Sequence, residues 1–494
     1  MKRHLPLLFG ILAISVHEVP VSAQPTQPPQ SSSSRSARVE AGLRFPRTIR
    51  GRPVAQMRLD ERMRHYKVPG VSIAVIDSFR IAWARGYGVR EVGGTSLVTT
   101  ETLFQAASIS KPVAALAALR LVQEGKLDLD EDVNLEMTSW KVPENEFTAA
   151  QPVTLRRLLS HGAGLTVHGF MGYASNRPVP TLLQVLDGQS PANSAAIRVD
   201  TLPGSRWRYS GGGYTVMQQL VVDVTGRSFP EVMRTEVLQP IGMTRSTYEQ
   251  PLPRNLIGNA ASGHRSDGIV VQGKWYTHPE MAAAGLWTTP SDLARYAMEV
   301  QLSATGKSNK VLSHPATAQM LTRQAGTHGL GPGLGGEGRN ASFSHGGSNQ
   351  GFRVFFLAFH ERGQGAVVMT NSDAGSPLIS EIVRAVAEEY DWPRPRTVEK
   401  TVVDVEPEKL IPLAGRYVLE GAPNIFIAIT VESGRVFADV IGQFRTEIYP
   451  ESETRYFSVD QDVDFAFSPG DGGKIIGFVV SSGSLGTYKA KRVE

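Results

Sequence analysis

The chain has 494 residues, a formal net charge of +4, 41% hydrophobic residues and 20% charged residues. This composition is typical of a globular protein, and the length predicts a large catalytic-sized domain plus a smaller one. The net charge is small and no block of basic residues stands out, so the charge does not argue for a nucleic-acid partner. The chain has no cysteine, which excludes disulfides, thiolate metal sites and a cysteine nucleophile.

The first residues resemble an export signal. Residues 2–4 are basic, residues 5–16 are mostly apolar, and small residues lead up to Ala23. This order predicts a signal peptide over residues 1–23, cleaved near Ala23, and hence a periplasmic or secreted protein. The apolar stretch is too short for a stable membrane span. The alternative is a cytosolic protein with an apolar start.

The predicted elements follow a simple order along the chain. Residues 24–55 are rich in Pro, Gln, Ser and Arg, and we expect a flexible lead-in there. The pattern then predicts helices over residues 58–68, 108–125, 153–159, 182–186 and 376–390. It also predicts a helix that ends at Gly226 and another that begins near Pro290. Strands are predicted over residues 71–77, 80–87, 352–359 and 365–370. Strands at both ends with helices between them predict one sheet built from both ends of the domain, with an inserted helical subdomain.

A second domain is predicted after the prolines at 393 and 395. From Gly415 onward the chain alternates short apolar strands with turn residues. This pattern predicts a small all-β sandwich or barrel. It contains no catalytic motif.

The helix predicted to begin near Ser108 carries the first candidate site. Ser108 and Lys111 are three residues apart, so on a helix their Cβ atoms would be about 5–6 Å from each other. A neighbouring amine can take the proton of a serine nucleophile, and the positive end of the helix dipole favours a developing oxyanion. Ser110 is a poorer candidate because it would point about 100° away from Lys111. The alternative is a helix-capping serine followed by a solvated lysine.

Two further motifs follow in chain order, Tyr209-Ser210-Gly211 ahead of a helix and His345-Gly346-Gly347 at the start of a strand. Together with Ser108-x-x-Lys111, this order resembles the serine β-lactamase and penicillin-binding-protein superfamily. The resemblance is strongest to the class C β-lactamase-like branch, with its D-alanyl-D-alanine carboxypeptidases, D-aminopeptidases, short-chain esterases and CubicO group. It extends to the stretches LLSHGAGL (158–165), GLWTTPSDLARY (285–296) and HGGSNQGFRVFF (345–356).

The resemblance implies an α+β, β-lactamase/transpeptidase-like fold over residues 56–395. This fold has an antiparallel sheet flanked by helices and a helical subdomain. It implies further that residues 396–494 form a small all-β, lipocalin-like domain.

The resemblance also implies a role for each motif residue. Ser108 is the nucleophile that forms an acyl-enzyme. Lys111 and Tyr209 are the proton-relaying pair, and either of them could be the general base.

The remaining motif residues are implied to bind substrate. His345, Gly346 and Gly347 line it, and the backbone N–H groups of Ser108 and Ser348 form the oxyanion hole. No cofactor and no metal are implied. The implied partner is a small-molecule or peptide substrate, such as a cell-wall peptide, and not a nucleic acid.

Two positions depart from the lactamase pattern. Gly211 replaces an asparagine and has no side chain for the substrate amide. His345 replaces a lysine and is only partly positive near neutral pH. Both departures favour D-amino-acid peptides or small esters over β-lactams, with a true β-lactamase and a non-catalytic penicillin-fold binding protein as alternatives. We interpret the remaining histidines of this region, His161 and His168, as structural.

Overall fold

The computed structural model describes residues 32–420, 422–441, 444–482 and 486–493. The signal peptide predicted over residues 1–23 lies outside the described residues. Within the described part of the chain, no helix is long and apolar enough to cross a membrane.

The catalytic-sized domain contains most of the helices and the barrel contains most of the strands. The helices are α1 (Ser32–Ala41), α2 (Leu59–His65), α3 (Ser110–Gln123), α4 (Glu146–Ala150), α5 (Leu155–Leu159), α6 (Leu182–Asp187), α7 (Gly211–Thr225), α8 (Phe229–Val232), α9 (Gln239–Ile241), α10 (Arg254–Ile257), α11 (Met281–Ala284), α12 (Pro290–Ala304), α13 (His314–Met320), α14 (Gly375–Glu389) and α15 (Pro407–Leu410). The strands of the first domain and the linker are β1 (Arg47–Ile49), β2 (Gly70–Asp77), β3 (Arg80–Gly88), β4 (Phe104–Gln105), β5 (Trp287–Thr288), β6 (Gly333–Gly335), β7 (Ser342–Asn349), β8 (Phe352–Phe359), β9 (Gly365–Thr370) and β10 (Val398–Lys400). The barrel strands are β11 (Gly415–Leu419), β12 (Ala422–Glu432), β13 (Arg435–Val440), β14 (Phe444–Pro450), β15 (Arg455–Ser458), β16 (Val463–Pro469), β17 (Ile475–Ser482) and β18 (Gly486–Arg492).

The central sheet joins the two ends of the first domain, as predicted. Its strand order is β3-β2-β9-β8-β7-β6, and every neighbouring pair is antiparallel. The predicted strands 352–359 and 365–370 coincide with β8 and β9. β2 is buried at every position except Asp77, because helices cover both faces of the sheet.

The two faces of the sheet pack against different helices. Along β2, Ala74 and Ile76 join a core that includes α3, α7 and α12, whereas Ile73 and Val75 join a core with α1, α2 and α14. Side chains alternate between the faces of a strand, so these two cores lie on opposite sides of the sheet. The helix that follows Ser108 is therefore on the side away from α14.

The lead-in prediction is wrong for the described residues of that stretch. Residues 32–41 form α1, with Val39 buried against the α14 side of the sheet and Arg38 paired with Glu389. Residues 47–49 form β1, which pairs in parallel with β10. Tertiary contacts stabilise these short elements, which composition alone does not reveal.

The C-terminal strands β11 to β18 close into an antiparallel barrel, which confirms the predicted all-β domain. Its interior is filled by side chains, among them the aromatic rings of Tyr417, Tyr456, Phe465, Phe467 and Phe478. Closure pairs both edges of the sheet and so removes its exposed hydrogen-bonding groups.

Arg47 of β1 anchors the barrel to the first domain. Its side chain is only 6% exposed. Its guanidinium donates to the carbonyl oxygens of Ser458, Gln461 and Val463 at 3.1, 2.7 and 3.1 Å and to the carboxylate of Asp464 at 2.6 Å. A buried guanidinium needs this many acceptors to offset its desolvation.

Replacement of Arg47 by methionine should loosen the barrel. It leaves buried acceptors unpaired, and we expect the free energy of unfolding to fall by about 2–4 kcal/mol. Arg50→Met is the matched control, because Arg50 is 69% exposed and pairs with one exposed carboxylate, Glu399; its effect should stay within about 0.5 kcal/mol. Urea unfolding monitors both variants, and equal losses would contradict the anchoring role.

Candidate active site

Ser108 lies in a strained turn between a strand and a helix. β4 pairs with β5, and the chain then forms a 3-10 turn, Ala107–Ile109, that leads into α3. Ala107 has φ of 49°, a left-handed conformation that costs an alanine roughly 1–2 kcal/mol. Strain of this kind concentrates at functional sites, where the surrounding structure maintains it.

Ser110 holds this turn in place. Its hydroxyl donates to the carbonyl oxygen of Ala107 at 2.5 Å and accepts the N–H of Leu286 at 3.0 Å. The Tyr248 hydroxyl donates to the Ser110 carbonyl at 2.7 Å. Because Ser110 is fully buried and engaged on both sides, it supports the turn that presents Ser108.

Lys111 contacts Ser108 from inside the protein. Its Nζ lies 3.1 Å from the Ser108 Oγ and donates to the carbonyl of Ala283 at 2.8 Å. Lys111 is only 2% exposed, and no side-chain cap hydrogen bond is present at the start of α3. The alternative of a capping serine with a solvated lysine is therefore wrong.

Tyr209 completes this group through its ring. The Lys111 Nζ lies 4.9 Å from the centre of the Tyr209 ring, within the range of a cation–π contact. No described residue forms a hydrogen bond with the Tyr209 hydroxyl, and the residue is only half-buried. The hydroxyl can therefore meet a substrate.

The stretch around His161, a residue interpreted as structural from the sequence, fixes the loop that carries Tyr209. The N–H of Arg208 donates to the His161 carbonyl at 2.9 Å, and the N–H of Ser210 donates to the His161 Nδ1 at 3.1 Å. Next to them, the N–H of Gly204 donates to the carbonyl of Gly162 at 2.7 Å. The stretch 160–164 thus positions Tyr209 through backbone bonds and through the His161 ring, which accepts at Nδ1.

Four imidazoles surround the Tyr209 ring. The ring centres of His161, His168, His345 and His328 lie 4.3, 4.9, 6.1 and 6.5 Å from it. The sequence motifs predict only His345 at the site and give no signal for His328. No spacing rule links a histidine in a loop to a tyrosine more than a hundred residues earlier, so only the folded chain reveals this contact.

Three of these imidazoles are neutral at neutral pH. Burial, followed by the nearby His328 and Lys111, lowers the pKa of His161 well below its usual value. Burial and Lys111 lower the pKa of His345 to about 3, and burial lowers that of His328 to about 4. The expectation of a partly positive His345 is therefore wrong.

The hydrogen bonds of His345 are consistent with a neutral ring. Its Nδ1 lies 2.6 Å from the carbonyl oxygen of Gly346, which can only accept, so Nδ1 carries the proton. Its Nε2 is buried without a partner among the described residues. His345 thus differs from a lysine at this position, which would carry a full positive charge.

The open edge of β7 faces the turn of Ser108. β6 pairs only with residues 342–344 of β7, while β8 pairs along its whole length. Asn349 and Phe352 flank a two-residue turn and so form the hydrogen-bonded pair that closes it. Hydrogen-bonded and non-hydrogen-bonded pairs alternate along antiparallel strands, so the N–H of the adjacent Ser348 points away from β8. This N–H is thus not used in the pairing of β7 with β8, and β7 itself packs against the turn that carries Ser108.

Gly347 permits the close approach of β7 to this turn. A Cβ atom there would overlap the carbonyl oxygen of Ala106 and the side chain of Val354, whereas a Cβ at Gly346 would meet nothing within 4 Å. Gly347 is therefore required by packing, and Gly346 leaves open space over the strand.

Asn349 joins the parts of the site. It is 4% exposed, and its side-chain amide donates to the Gln105 side chain at 2.9 Å and to the Ala284 carbonyl at 3.2 Å. These bonds tie β7 to β4 and α11. An asparagine at a strand end gives no sequence signal of such a role.

Glu280 is an unusual buried acid beside this scaffold. It precedes α11 by one residue and is fully buried, with both carboxyl oxygens unpartnered among the described residues. Burial raises its pKa from 4.5 to about 8. The carboxyl is therefore protonated at neutral pH.

In the described part of the chain, no group of three or more His, Cys, Asp or Glu residues is placed to hold a metal ion. Among the described residues, the four imidazoles around Tyr209 are therefore not arranged as a metal site.

Comparison with known proteins identifies the family. The β-lactamase family model matches residues 56–389, more than half of the chain. The chain belongs to the β-lactamase family. This is a superfamily of serine hydrolases.

Relatives and solved structures extend this likeness. Penicillin-binding protein 4* of Bacillus subtilis (strain 168) is 23% identical over 415 residues, which cover 79% of this chain and 88% of that protein. The octameric penicillin-binding protein homologue from Pyrococcus abyssi has a TM-score of 0.60 and 21% identity, covering 88% of this chain and 98% of that one. D-amino acid amidase from Ochrobactrum anthropi SV3 has a TM-score of 0.56 and 20% identity, covering 72% and 99%. These structures share the β-lactamase-like fold predicted from the sequence.

In this β-lactamase-family chain, Gly347→Ala should displace β7 from the Ser108 turn, because the new methyl group overlaps Ala106. We expect a loss of about 1–3 kcal/mol in the free energy of unfolding, as is usual for overpacking. Gly346→Ala is the matched control and should unfold within about 0.5 kcal/mol of wild type. Similar unfolding curves for both variants would contradict the close approach.

Glu280 should make stability depend on pH. Its folded pKa is raised from 4.5 to about 8, so the folded state binds more protons than the unfolded state in that window. The free energy of unfolding should then fall as pH rises from 5 to 8, by up to about 1.4 kcal/mol per pH unit. Glu280→Gln, which stays neutral, should flatten this dependence, whereas the exposed control Glu131→Gln should not. Parallel curves for wild type and Glu280→Gln in urea unfolding would refute the assignment.

Proposed function

We propose that the protein is an exported serine hydrolase that acts through an acyl-enzyme on Ser108 and hydrolyses amide or ester bonds. The observation that carries this proposal is the contact of the buried Lys111 Nζ with the Ser108 Oγ, 3.1 Å long. The membership of a serine hydrolase superfamily supports it, and the basic and apolar start of the chain supports export.

The reaction follows from the positions of these groups. The amine form of Lys111 takes the Ser108 proton while Oγ bonds to the substrate carbonyl carbon. The N–H groups of Ser108 and Ser348 stabilise the oxyanion. The bond to the leaving group breaks and Tyr209 gives its hydroxyl proton to this group, while the Lys111 ammonium passes the former Ser108 proton to the Tyr209 oxygen, so that both residues return to their starting states. A water molecule then attacks the acyl-enzyme by the same route and regenerates Ser108.

The neutral state of His345 favours substrates without a carboxylate at this strand. A lysine there would attract a carboxylate, whereas a neutral imidazole offers no full charge. D-amino-acid amides and peptides attacked from the amino-terminal side, or small esters, fit this requirement better than β-lactams. The likeness to a D-amino acid amidase is in line with this substrate class.

A fluorophosphonate probe should label the wild-type protein at Ser108 and should not label Ser108→Ala. Lys111→Ala should lower the labelling rate and the turnover of p-nitrophenyl esters by at least about 100-fold, as expected for loss of general base catalysis. The assignment fails if Ser108→Ala is still labelled while it retains the wild-type circular dichroism spectrum.

A substrate panel decides between the proposal and its alternatives. Turnover of D-aminoacyl amides or p-nitrophenyl esters that exceeds nitrocefin turnover supports it. Efficient nitrocefin turnover would favour a true β-lactamase. Failure to hydrolyse any of the three, together with absent labelling, would favour a non-catalytic protein that binds cell-wall peptides.

A further inference from the structure

His328 lies on a tight turn that is bonded to the central sheet. Within this turn, the N–H of His328 donates to the carbonyl of Ala325 at 2.9 Å. The turn is joined to β6, because the N–H of Leu334 donates to the carbonyl of Thr327 at 2.7 Å. β6 in turn pairs with β7. The position of His328 is therefore fixed relative to β7, the strand that carries His345.

Trp207 approaches this turn from the other side of the site, two residues before Tyr209. Its indole stacks on the His328 ring, with 5.2 Å between the ring centres and 29° between the ring planes. The indole also lies against Gly326, where a Cβ atom would be only 2.8 Å away. Gly326 has φ of 52°, so glycine suits both this conformation and the close approach. The Trp207–His328 stack therefore joins the loop of Tyr209 to the turn beside β6.

The His328 ring also contacts both motif rings of the site. Its centre lies 6.5 Å from that of Tyr209 and 6.4 Å from that of His345, and these two rings lie 6.1 Å from each other. It contacts the buried His161 ring as well, at 5.3 Å. Packing against His328 therefore limits how far the Tyr209 ring can move relative to β7.

The Tyr209 side chain depends on such packing for its direction. Its hydroxyl has no hydrogen-bond partner among the described residues, and the residue is only half-buried. The bonds from the stretch 160–164 fix the backbone of the loop and leave the side-chain torsions of Tyr209 free. The surrounding rings therefore set the direction of the hydroxyl. A proton donor misplaced by about 1 Å can lower a rate by about 100-fold.

We propose that His328, through its stack with Trp207, is a positioning residue that directs the Tyr209 hydroxyl toward the leaving group. His328 does not touch the reacting atoms itself. The role rests on the proposed acylation of Ser108 and adds to it a residue outside the sequence motifs. Loss of the stack should therefore affect chiefly those reactions whose leaving group needs a proton.

The test compares two esters with the same acyl group and different leaving groups. The methoxide of D-alanine methyl ester is too basic to leave without a proton, whereas p-nitrophenolate, from D-alanine p-nitrophenyl ester, leaves as an anion. In His328→Ala, kcat/KM should fall about 30-fold for the methyl ester and at most about threefold for the p-nitrophenyl ester, so their ratio should fall about tenfold. The two esters share one acyl-enzyme, and their ratio does not depend on the fraction of folded enzyme.

Further variants separate stacking from other effects. His328→Phe keeps a ring against Trp207 and should keep at least about half of the wild-type ratio, whereas Trp207→Ala should lower it as His328→Ala does. The double variant should lose no more than either single variant, because both remove the same contact. His65 is the matched control, since its exposed ring contacts the Tyr66 ring at 4.8 Å on the α14 side of the sheet. His65→Ala should leave the ratio unchanged.

Several outcomes would overturn the positioning role. Equal losses on both esters in His328→Ala would indicate a general structural role, and an unchanged ratio would exclude an effect on proton delivery. A ratio in His328→Phe as low as that in His328→Ala would assign the effect to the polar atoms of the imidazole. Multiplied losses in the double variant would show that the two rings act independently.

Failure of the proposed function is recognised separately. A wild-type protein that the fluorophosphonate probe does not label at Ser108 would refute the acylation itself. Tyr209→Phe, which lacks the proton donor, should lower the ester ratio at least as much as His328→Ala. A wild-type ratio in Tyr209→Phe would refute the proton-donating role of Tyr209 and, with it, the role of His328.

Discussion

The contact between Lys111 and Ser108 is the interaction on which the site depends. An amine that is 2% exposed needs polar partners, since burial without them costs several kcal/mol. The Ser108 hydroxyl and the Ala283 carbonyl meet this need. α11 must therefore stay against α3, which explains why the strained turn at Ala107 is held from several sides. The buried amine of Lys111 thus accounts for both the polar contacts of the site and its rigidity.

The imidazoles in the cleft around this contact carry little charge. His161, His328 and His345 are kept neutral by burial, and partial burial followed by Lys111 also lowers the pKa of the more exposed His168. Selectivity in such a site depends on hydrogen bonding and shape more than on ion pairing.

The barrel and the cleft contact different sides of the first domain. Arg47 connects the barrel through β1, next to β10 and near the α14 side of the sheet, whereas α3 packs on the opposite face. The barrel interior is filled by aromatic side chains, so its own core provides stability. Its connection to the first domain includes the buried Arg47 guanidinium with its acceptors and the ion pair of Lys400 with Glu451.

The sequence by itself determined the sheet formed from both chain ends, the all-β tail and the motif residues Ser108, Lys111 and Tyr209. The sheet and the tail follow from periodicity, and Ser108 with Lys111 from their short spacing, whereas Tyr209 is implied by the family resemblance of its motif. Three features were decided only by the tertiary structure. They are the folding of residues 32–41 and 47–49 into α1 and β1, the neutral state of His345, and the contacts of His168 and His328 with the Tyr209 ring. Burial, pKa values and contacts between distant loops all depend on which groups the fold brings together and shields from water. That arrangement exists only after the chain has folded.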